Sequence, residues 1–277
     1  MSGSTNLVFD ESGPPQAETL VFLHGGGAGA WMWGPVIERL PEFHCLAPDL
    51  PQHGRSQEGP FSMAGAAEAV AGLIRRQSAS GRAHVVGLSL GAQVLVELLS
   101  RAPERVQTAL ISSALLCPLP GSGLGLYRPW SLALAYWTMM APFKNWEAWI
   151  RLNARYSAGV PEAYFEHFRR DFQAMSRDAW VNVMSANLGY RLPAGLERCH
   201  SPALVMVGKK EHRALRRSAE ALLAALPAGQ GRRLKHTDDW SLQEEHNWAL
   251  KAPTLFARTV QAWSSGAPLP EELEPLA

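Results

Sequence analysis

Short apolar runs alternate along the chain with longer segments whose apolar residues recur at helical spacing. Residues 19–23 form a continuous apolar run, which is typical of a strand in the middle of a parallel sheet. Residues 63–77 are rich in alanine, follow the N-cap candidate Ser62, and predict a helix with one side packed on that sheet. Further strands are expected at residues 7–9, 43–47, 83–86, 106–112, 202–208 and 232–235, and further helices at 33–40, 92–99, 213–226 and 253–263.

This repeated alternation of strand and helix requires right-handed crossovers, so it predicts an α/β protein with a mainly parallel sheet flanked by helices. From Pro118 to Glu197 the pattern changes, because the strands stop and aromatic-rich helical segments take over. We interpret residues 118–197 as an inserted helical cap, and residues 1–117 and 198–277 as the α/β core. The last residues, 264–277, mix glycine and prolines with acidic residues, and we expect a loosely held end.

The cap is expected to lie over the carboxyl ends of the strands, where open α/β sheets bind ligands, and to line an apolar pocket there. All five tyrosines of the chain lie in this segment, together with several tryptophans. Most of these rings are expected only to pack helices on the core, as dense aromatic clusters usually do. The residues of the cap that we predict to line the pocket are Trp130, Tyr136, Trp137 and Met140.

Composition limits the possible partners. The chain has 277 residues, of which 47% are hydrophobic, enough for one sizeable core. Its net charge of +1 provides no long-range field for nucleic acid, which is not expected to bind. No run is long and apolar enough for a membrane span, and no signal peptide is apparent, so we expect a soluble cytoplasmic protein, monomeric or homodimeric. Cys45, Cys117 and Cys199 are expected to be buried thiols, and no metal or other cofactor is predicted.

The candidate nucleophile is Ser89, in the pentapeptide Gly-Leu-Ser-Leu-Gly at residues 87–91. An apolar strand precedes this motif and a helical pattern follows it, so the serine is expected on a cramped turn with its hydroxyl pointing away from the sheet. The N–H of Leu90, at the start of the helix, then faces any oxyanion formed at the serine. The alternative is an ordinary turn serine, since three fixed residues in five recur by chance.

A glycine-rich loop, His24-Gly25-Gly26-Gly27, follows the apolar strand at residues 19–23. Such a loop can cradle a phosphate, but this one lacks the ending of a P-loop and the spacing of a dinucleotide-binding motif. Its other use is to offer a backbone N–H, that of Gly26, as a second oxyanion donor. Gly25 and Gly27 are then predicted to line the substrate pocket.

Three motifs, HGGGAGAWMW at 24–33, APDLPQHGRS at 47–56 and GLSLG at 87–91, occur in this order and at these intervals. Together they resemble the α/β-hydrolase fold superfamily, with a pattern close to its small esterases, lactonases and C–C hydrolases. The resemblance implies that the backbone N–H groups of Gly26 and Leu90 form the oxyanion hole. One departure is Gln52, which stands where the family usually has glycine, and we expect a local backbone adjustment there.

Glu211 matches the position of the family's acid, because Gly208-Lys209-Lys210-Glu211 stands where the family has G-x-x-D. A carboxylate there would accept the Nδ1–H of a catalytic histidine and fix its tautomer. The alternative is a surface residue in a solvated loop. No acidic residue follows the strand at residues 106–112, the other strand end from which this fold can supply its acid.

Three histidines follow Glu211 in the chain: His212, His236 and His246. His212 adjoins the acid, and His236 is followed by a polar loop, whereas His246 precedes a segment that resembles the family's C-terminal helix. His246 is therefore the predicted base, and the nearby Trp248 is predicted to line the pocket. Glu245 stands where the family often has glycine, so it either leaves a second carboxylate near the imidazole or points outward.

Two functions from different classes remain. The first is a serine hydrolase in which His246 deprotonates Ser89, Gly26 and Leu90 hold the oxyanion, and water releases the acyl-enzyme. Its substrate would be a small hydrophobic carboxyl ester, with lactones and C–C bonds next to carbonyls as alternatives. The second is a ligand-binding or scaffolding protein on the same fold, in which the unusual acid and the Glu245-His246 turn mark decayed chemistry.

Overall fold

A computed structural model of the chain describes residues 6–119 and 125–276. Its centre is a sheet of eight strands in the order β1-β3-β2-β4-β5-β6-β7-β8. Strands β2 to β7 are parallel to one another, and the edge strands β1 and β8 are antiparallel to their neighbours. The strands are β1 Phe9–Ser12, β2 Thr19–Leu23, β3 His44–Pro48, β4 Ala83–Leu88, β5 Val106–Ser112, β6 Ala203–Met206, β7 Gly229–Leu234 and β8 Leu273–Pro275. The predicted α/β fold with a mainly parallel sheet is confirmed.

Helices flank this sheet on both faces. Those of the sheet layers are α1 Gly34–Ile37, α2 Met63–Gln77, α3 Leu90–Arg101, α8 Arg213–Ala225, α9 Leu242–His246, α10 Trp248–Lys251 and α11 Pro253–Ser265. Side chains of β2 alternate between two clusters, because successive residues of a strand point to opposite faces. Val21 and Leu23 pack with α2 and α3, whereas Leu20 and Phe22 pack with α1 and α11. Both faces of the central strands are therefore buried in apolar layers.

Between β5 and β6 the described residues form helices and no strand. They are α4 Pro129–Ala135, which continues as a π-helix over Tyr136–Met140, α5 Glu147–Tyr156, α6 Phe165–Ala174 and α7 Arg177–Gly189. We call residues 125–198 the helical segment. Residues 120–124, at the start of the predicted cap, lie outside the described residues, and the division into core and cap stays a prediction. Among all described helices, none has the length and apolar character that crossing a bilayer requires.

The C-terminal end departs from expectation. Residues 264–277 were expected to be loosely held, but β8 pairs with β7, with Leu273 opposite Leu234. Leu273 is buried, and Glu274 accepts a hydrogen bond from the Nε of Arg233 at 2.7 Å. The expectation was wrong because composition describes only local preference, whereas this short strand is stabilised by its partner strand.

Candidate active site

Ser89 lies on a strained turn between β4 and α3. Its φ of 55° is positive, which is unusual for a residue with a side chain and carries a conformational cost. The two glycines of the motif make this turn possible. A Cβ on Gly87 would lie 2.5 Å from the carbonyl oxygen of Gly91, and a Cβ on Gly91 would lie 2.1 Å from that of Leu23. Side chains at either position would therefore push the helix away from the sheet.

The backbone of Ser89 is held, while its hydroxyl is free. The Ser89 N–H donates to the Ser112 carbonyl at 2.9 Å, and the Ser89 carbonyl accepts from the N–H of Gln93 at 3.1 Å. Within the described residues the Ser89 hydroxyl has no hydrogen-bond partner, and Ser89 lines an apolar cavity beneath the helical segment. A fixed backbone with an open hydroxyl is the arrangement that a nucleophile needs.

His246 and Glu211 form a close pair. The Nδ1 of His246 lies 2.5 Å from Oε1 of Glu211, whose side chain is completely buried, while the His246 side chain is 24% exposed. The second carboxylate oxygen of Glu211, Oε2, accepts the Gly208 N–H at 2.8 Å. An ionised carboxylate only accepts hydrogen bonds, so the pair places the imidazole proton on Nδ1 and leaves Nε2 with a free lone pair.

The same cavity is lined by both Ser89 and His246. The serine reaches it from the carboxyl end of β4, and the histidine from the end of α9. The structure thus brings the three predicted catalytic residues to one end of the sheet, with Glu211 bonded to Nδ1 of His246, and with His246 and Ser89 lining one cavity. In free enzymes the contact between nucleophile and base is often long and tightens only when substrate binds.

The glycine-rich loop lies directly against the nucleophile turn. A Cβ on Gly25 would be 3.7 Å from the Cβ of Ser89, and a Cβ on Gly26 would be 3.7 Å from Cδ2 of Leu90. Neither the Gly26 N–H nor the Leu90 N–H donates a hydrogen bond within the described residues. Two free backbone donors therefore lie beside the nucleophile, as an oxyanion hole requires.

His24 fixes the direction of the Gly26 N–H. Its Nδ1 lies 2.8 Å from the Gly25 carbonyl, and its Nε2 accepts the Leu50 N–H at 2.9 Å, so the neutral ring donates through Nδ1. Burial lowers the pKa of His24 and favours that neutral form. In a trans peptide the carbonyl and the following N–H point in opposite directions. Because the Gly25 carbonyl points to His24, the Gly26 N–H points away from it.

Asp49, in the loop after β3, holds the chain at the far end of the glycine-rich loop. Its carboxylate accepts the Ala30 N–H at 2.7 Å and the Arg55 Nε–H at 2.7 Å. Burial raises the pKa of Asp49, but the hydrogen bonds from Ala30 and Arg55 outweigh burial, and the net pKa is lowered. Asp49 is therefore an ionised anchor beneath the glycine-rich loop.

Next to the serine, the cavity has a volume of about 460 Å³ and an apolar wall. Within the described residues, no Asp, Glu, Lys or Arg lines it. Five of its lining residues are methionines, and others are aromatic: Met32, Met139, Met140, Met175, Met184, Trp31, Trp149, Trp180, Phe168 and Phe172. Flexible methionines and flat rings suit an apolar guest of variable shape. In the described part of the chain, no group of three His, Cys, Asp or Glu side chains is placed to hold a metal ion.

The predicted pocket residues divide into two groups. Gly25, Gly27 and Met140 line the cavity, whereas the other four predicted residues do not. The side chains of Trp130 and Trp137, in the helical segment, are 67% and 58% exposed to solvent. Tyr136 is buried with its hydroxyl 3.3 Å from the Met175 carbonyl, and the indole N–H of Trp248 donates to the Ser112 hydroxyl at 3.0 Å. For these four residues the predicted position was wrong, because helix packing turns their side chains outward or into the core.

Sequence reasoning missed Asn187, a polar residue in the wall of the cavity. Its side-chain nitrogen Nδ2 lies 3.8 Å from the position of a Cβ on Gly26. The side-chain amide has no hydrogen-bond partner within the described residues, but the Asn187 carbonyl accepts from Nε2 of the buried Gln93 at 3.0 Å. Only the docking of α7 on α3 brings this amide beside the glycine-rich loop, so no local sequence signal indicates it.

Glu245 and Gln52, the two departures from the family pattern, both have structural roles. Glu245 is buried and accepts hydrogen bonds from the Lys210 N–H at 2.7 Å and from the Thr237 hydroxyl. Its carboxylate therefore holds the loop that carries the acid, and is not bonded to the imidazole. Gln52 adopts a φ of 60°, the conformation that a glycine would take without strain. The backbone adjustment expected at Gln52 is therefore its positive φ.

The sequence model of the Alpha/beta hydrolase family matches residues 20–259. An esterase from Mycobacterium tuberculosis is 41% identical over 93 residues, which are 32% of this chain and 30% of that protein. A pimeloyl-(acyl-carrier protein) methyl ester esterase from Yersinia pseudotuberculosis is 38% identical over 100 residues, 35% of this chain and 37% of that protein. The chain thus matches only about a third of the length of these curated relatives. The crystal structure of the enol-lactonase from Burkholderia xenovorans LB400 superposes with a TM-score of 0.72 at 19% identity, covering 94% of this chain and 96% of that one, and shares its fold.

Proposed function

The chain belongs to the alpha/beta hydrolase family, and from that premise we propose that it is a serine hydrolase that cleaves carboxyl esters of uncharged, apolar small molecules. Ser89 is the nucleophile, His246 the base and Glu211 the acid of its triad. The observation that supports this most is the pairing of His246 Nδ1 with Glu211 at 2.5 Å, while His246 and Ser89 line one cavity. The esterases among the curated relatives support an ester as substrate.

In the proposed mechanism, Nε2 of His246 removes the Ser89 proton as the hydroxyl oxygen attacks the ester carbonyl carbon. The carbonyl oxygen becomes an oxyanion, which the N–H groups of Gly26 and Leu90 bind. The protonated imidazole then gives its proton to the leaving alcohol, and an acyl-enzyme remains on Ser89. Water, activated by the same imidazole, releases the acid and restores the serine.

The buried carboxylate of Glu211 stabilises the imidazolium that forms in both halves of this reaction. It also keeps the Nδ1 proton in place, so that Nε2 faces the serine in the form that accepts a proton. No cofactor takes part in these steps. The helical segment supplies most of the cavity wall, so we include its role as a cap over the site in the proposal.

Cavity size limits the substrate. A volume of about 460 Å³ lies in the lower half of the range of about 300 to 1,000 Å³ that small-molecule pockets occupy. Because no Asp, Glu, Lys or Arg side chain lines this space within the described residues, a carboxylate or phosphate on the acyl chain would be buried without a counter-ion. Neutral esters with short or medium acyl chains fit this wall best.

The test combines turnover with covalent labelling. We expect the full chain to hydrolyse p-nitrophenyl butyrate and to be labelled by a fluorophosphonate at Ser89, as located by peptide mass spectrometry. Ser89→Ala should abolish both, whereas Ser113→Ala, which changes a buried serine at the end of β5, should keep labelling at Ser89. Labelling that persists in Ser89→Ala would mean that the nucleophile is another residue. No turnover of any neutral ester, together with no labelling of wild-type protein, would support the ligand-binding alternative.

A further inference from the structure

Exposed apolar side chains are concentrated in one part of the molecule. Ten large apolar side chains of the described residues are exposed, and eight of them lie between residues 126 and 156. Those eight are Leu126, Trp130, Leu134, Trp137, Met139, Trp146, Leu152 and Tyr156. Single exposed apolar residues are common on proteins, but a concentration of this kind indicates that part of this region binds something.

The helix α4 and its π-helical continuation carry apolar residues on opposite faces. Leu132, Tyr136 and Met140 recur at intervals of four and are buried, and α4 packs against α7. Trp130, Leu134 and Trp137, at intervals of four and three, share the other face and are more than half exposed. We call these three residues the outer face. A helix that is apolar all round is normally covered on both sides, and here only one side is covered by the fold.

The helical stretch that carries the outer face also contributes to the wall of the cavity. Ala135 and Met139, which lie on the same helical stretch, line the cavity that contains Ser89. Met139 is both a cavity-lining residue and an exposed one. The cavity wall therefore reaches the exposed surface of this helical stretch at Met139.

Charge around the outer face favours an anionic partner. Residues 126–156 contain four basic residues and one acidic residue, although the whole chain has a net charge of only +1. Arg151 is paired with Glu147 and Glu162. Arg128, Lys144 and Arg155 have no acidic partner within the described residues. The exposed aromatic residues thus lie in the positively charged half of the helical segment.

We propose that the outer face docks on a lipid surface that carries anionic headgroups, and that the cavity receives its apolar substrates from that surface. Tryptophan is the residue that most favours the boundary between lipid and water, and nearby cations are attracted to anionic headgroups. A second copy of the chain fits less well. A two-fold interface centred here would bring the same unpaired cations of the two copies together. The docking does not depend on the proposed hydrolysis, whereas the supply of substrate from the lipid surface rests on that proposed function.

Co-sedimentation of the full chain with lipid vesicles tests this docking. We expect binding to vesicles of phosphatidylcholine mixed with phosphatidylglycerol, weaker binding to phosphatidylcholine alone, and loss of the difference at high salt. The double variant Trp130→Ser/Trp137→Ser should reduce the partition coefficient by about tenfold or more, because two rings no longer enter the lipid boundary. Trp146→Ser, an exposed tryptophan outside the outer face, is the matched control and should bind as the wild type does.

Several results would overturn the proposal. They are an absence of wild-type binding to both vesicle types, equal binding to both, or equal losses in the double variant and in Trp146→Ser. A dimer in analytical ultracentrifugation that the double variant abolishes, without wild-type vesicle binding, would assign the outer face to a second copy. Ser89→Ala should bind vesicles as the wild type does, so a failure of the hydrolase proposal is distinguishable from a failure of the docking. Unchanged melting temperatures would show that the variants are folded.

Discussion

Replacing Glu211 with glutamine should reverse the tautomer of His246, the proposed catalytic base. The Gly208 N–H donates to Oε2 of Glu211, and this buried donor still needs an acceptor in the variant. The amide oxygen of the introduced glutamine must therefore take the place of Oε2, which turns its NH₂ group toward Nδ1 of His246. That group can only donate, so it favours an imidazole with its proton on Nε2. Such an imidazole cannot accept the Ser89 proton.

The magnitude follows from two losses. The wrong tautomer must be corrected before each turnover, and the buried negative charge no longer stabilises the imidazolium. In Ser-His-Asp triads, loss of the acid lowers kcat by about 10⁴-fold. Since the Glu211 side chain is fully buried and its bond to His246 is short, we expect kcat/KM to fall by about 10³- to 10⁴-fold, or about 4 to 5.5 kcal/mol in the barrier.

Steady-state hydrolysis of p-nitrophenyl butyrate and the rate of fluorophosphonate labelling measure this loss. Glu245→Gln is the matched control, because it removes another buried carboxylate nearby without touching the imidazole. Its glutamine can still accept from the Lys210 N–H and can donate to the Thr237 hydroxyl, so kcat/KM should stay within about tenfold of wild type. If Glu211→Gln also stays within that range, or if the two variants lose activity equally, the assigned role of Glu211 is wrong.

Three further predictions concern the surroundings of the site. Asn187→Leu should lower kcat/KM for neutral esters by about tenfold with little change in melting temperature, because an unpartnered amide beside Gly26 is lost. Steady-state kinetics measure this, and an unchanged kcat/KM would mean that the amide does not contact the substrate. Burial lowers the pKa of His53 to about 3, so below pH 6.5 the unfolded chain binds a proton that the folded chain does not. The stability that the neutral His53 contributes is therefore complete above pH 6.5 and is lost as the pH falls toward 3. In urea unfolding, the free energy of unfolding of His53→Asn, whose side chain can still donate to the Pro51 carbonyl, should fall between pH 7 and pH 5 by about 2 kcal/mol less than that of the wild type. Equal losses in the two proteins would contradict this. Gln52→Gly should be more stable to urea than Gln52→Ala by about 1 kcal/mol, because both lose the side-chain bonds but only alanine keeps the strained positive φ; the reverse order would refute the strain argument.

Features with local signals were predicted from the sequence. The helix α2 begins and ends as expected, because Ser62 accepts the Gly65 N–H and caps its first turn. The strand β5 also has its predicted bounds. In contrast, residues 33–40 were expected to form one helix, and only Gly34–Ile37 is α-helical, after a 3₁₀ turn at Ala30–Trp33. Turn type at a helix start depends on packing against the sheet, which sequence periodicity does not report.

The pocket shows where sequence reasoning stops. Trp130 and Trp137 were chosen, whereas Trp149 and Trp180 line the cavity. All four residues are of the same type, so composition cannot separate them. Periodicity also fails along α4, because apolar residues occupy both the buried face and the outer face. Periodicity can distinguish the buried face of a helix from the exposed one only when the two faces differ in polarity. Which tryptophans face the substrate is therefore decided by how α4 to α7 pack together.

The helix that begins beside Ser89 also anchors the wall of the cavity. Gln93, Glu97 and Ser100 share one side of α3, at intervals of four and three, and each bonds to the end of α7 or the chain just after it. Gln93 donates to the Asn187 carbonyl at 3.0 Å, Glu97 accepts from the Tyr190 hydroxyl at 2.7 Å, and Ser100 donates to the Ala194 carbonyl at 2.7 Å.

Burial raises the pKa of Tyr190, so its hydroxyl stays protonated and keeps donating to Glu97. These bonds tie the position of the Asn187 amide to the helix that holds the nucleophile. The helix α4 has a different attachment, because it packs on α7 and presents its other face to solvent. The part of the cavity wall that α7 supplies is thus tied directly to the helix after Ser89, whereas the part that α4 supplies is tied to it only through α7. In the proposed docking, the residues closest in the chain to the outer face that also line the cavity are Ala135, Met139 and Met140, whereas Ser89, Gly26 and Leu90 belong to the α/β layers and lie outside that helical stretch.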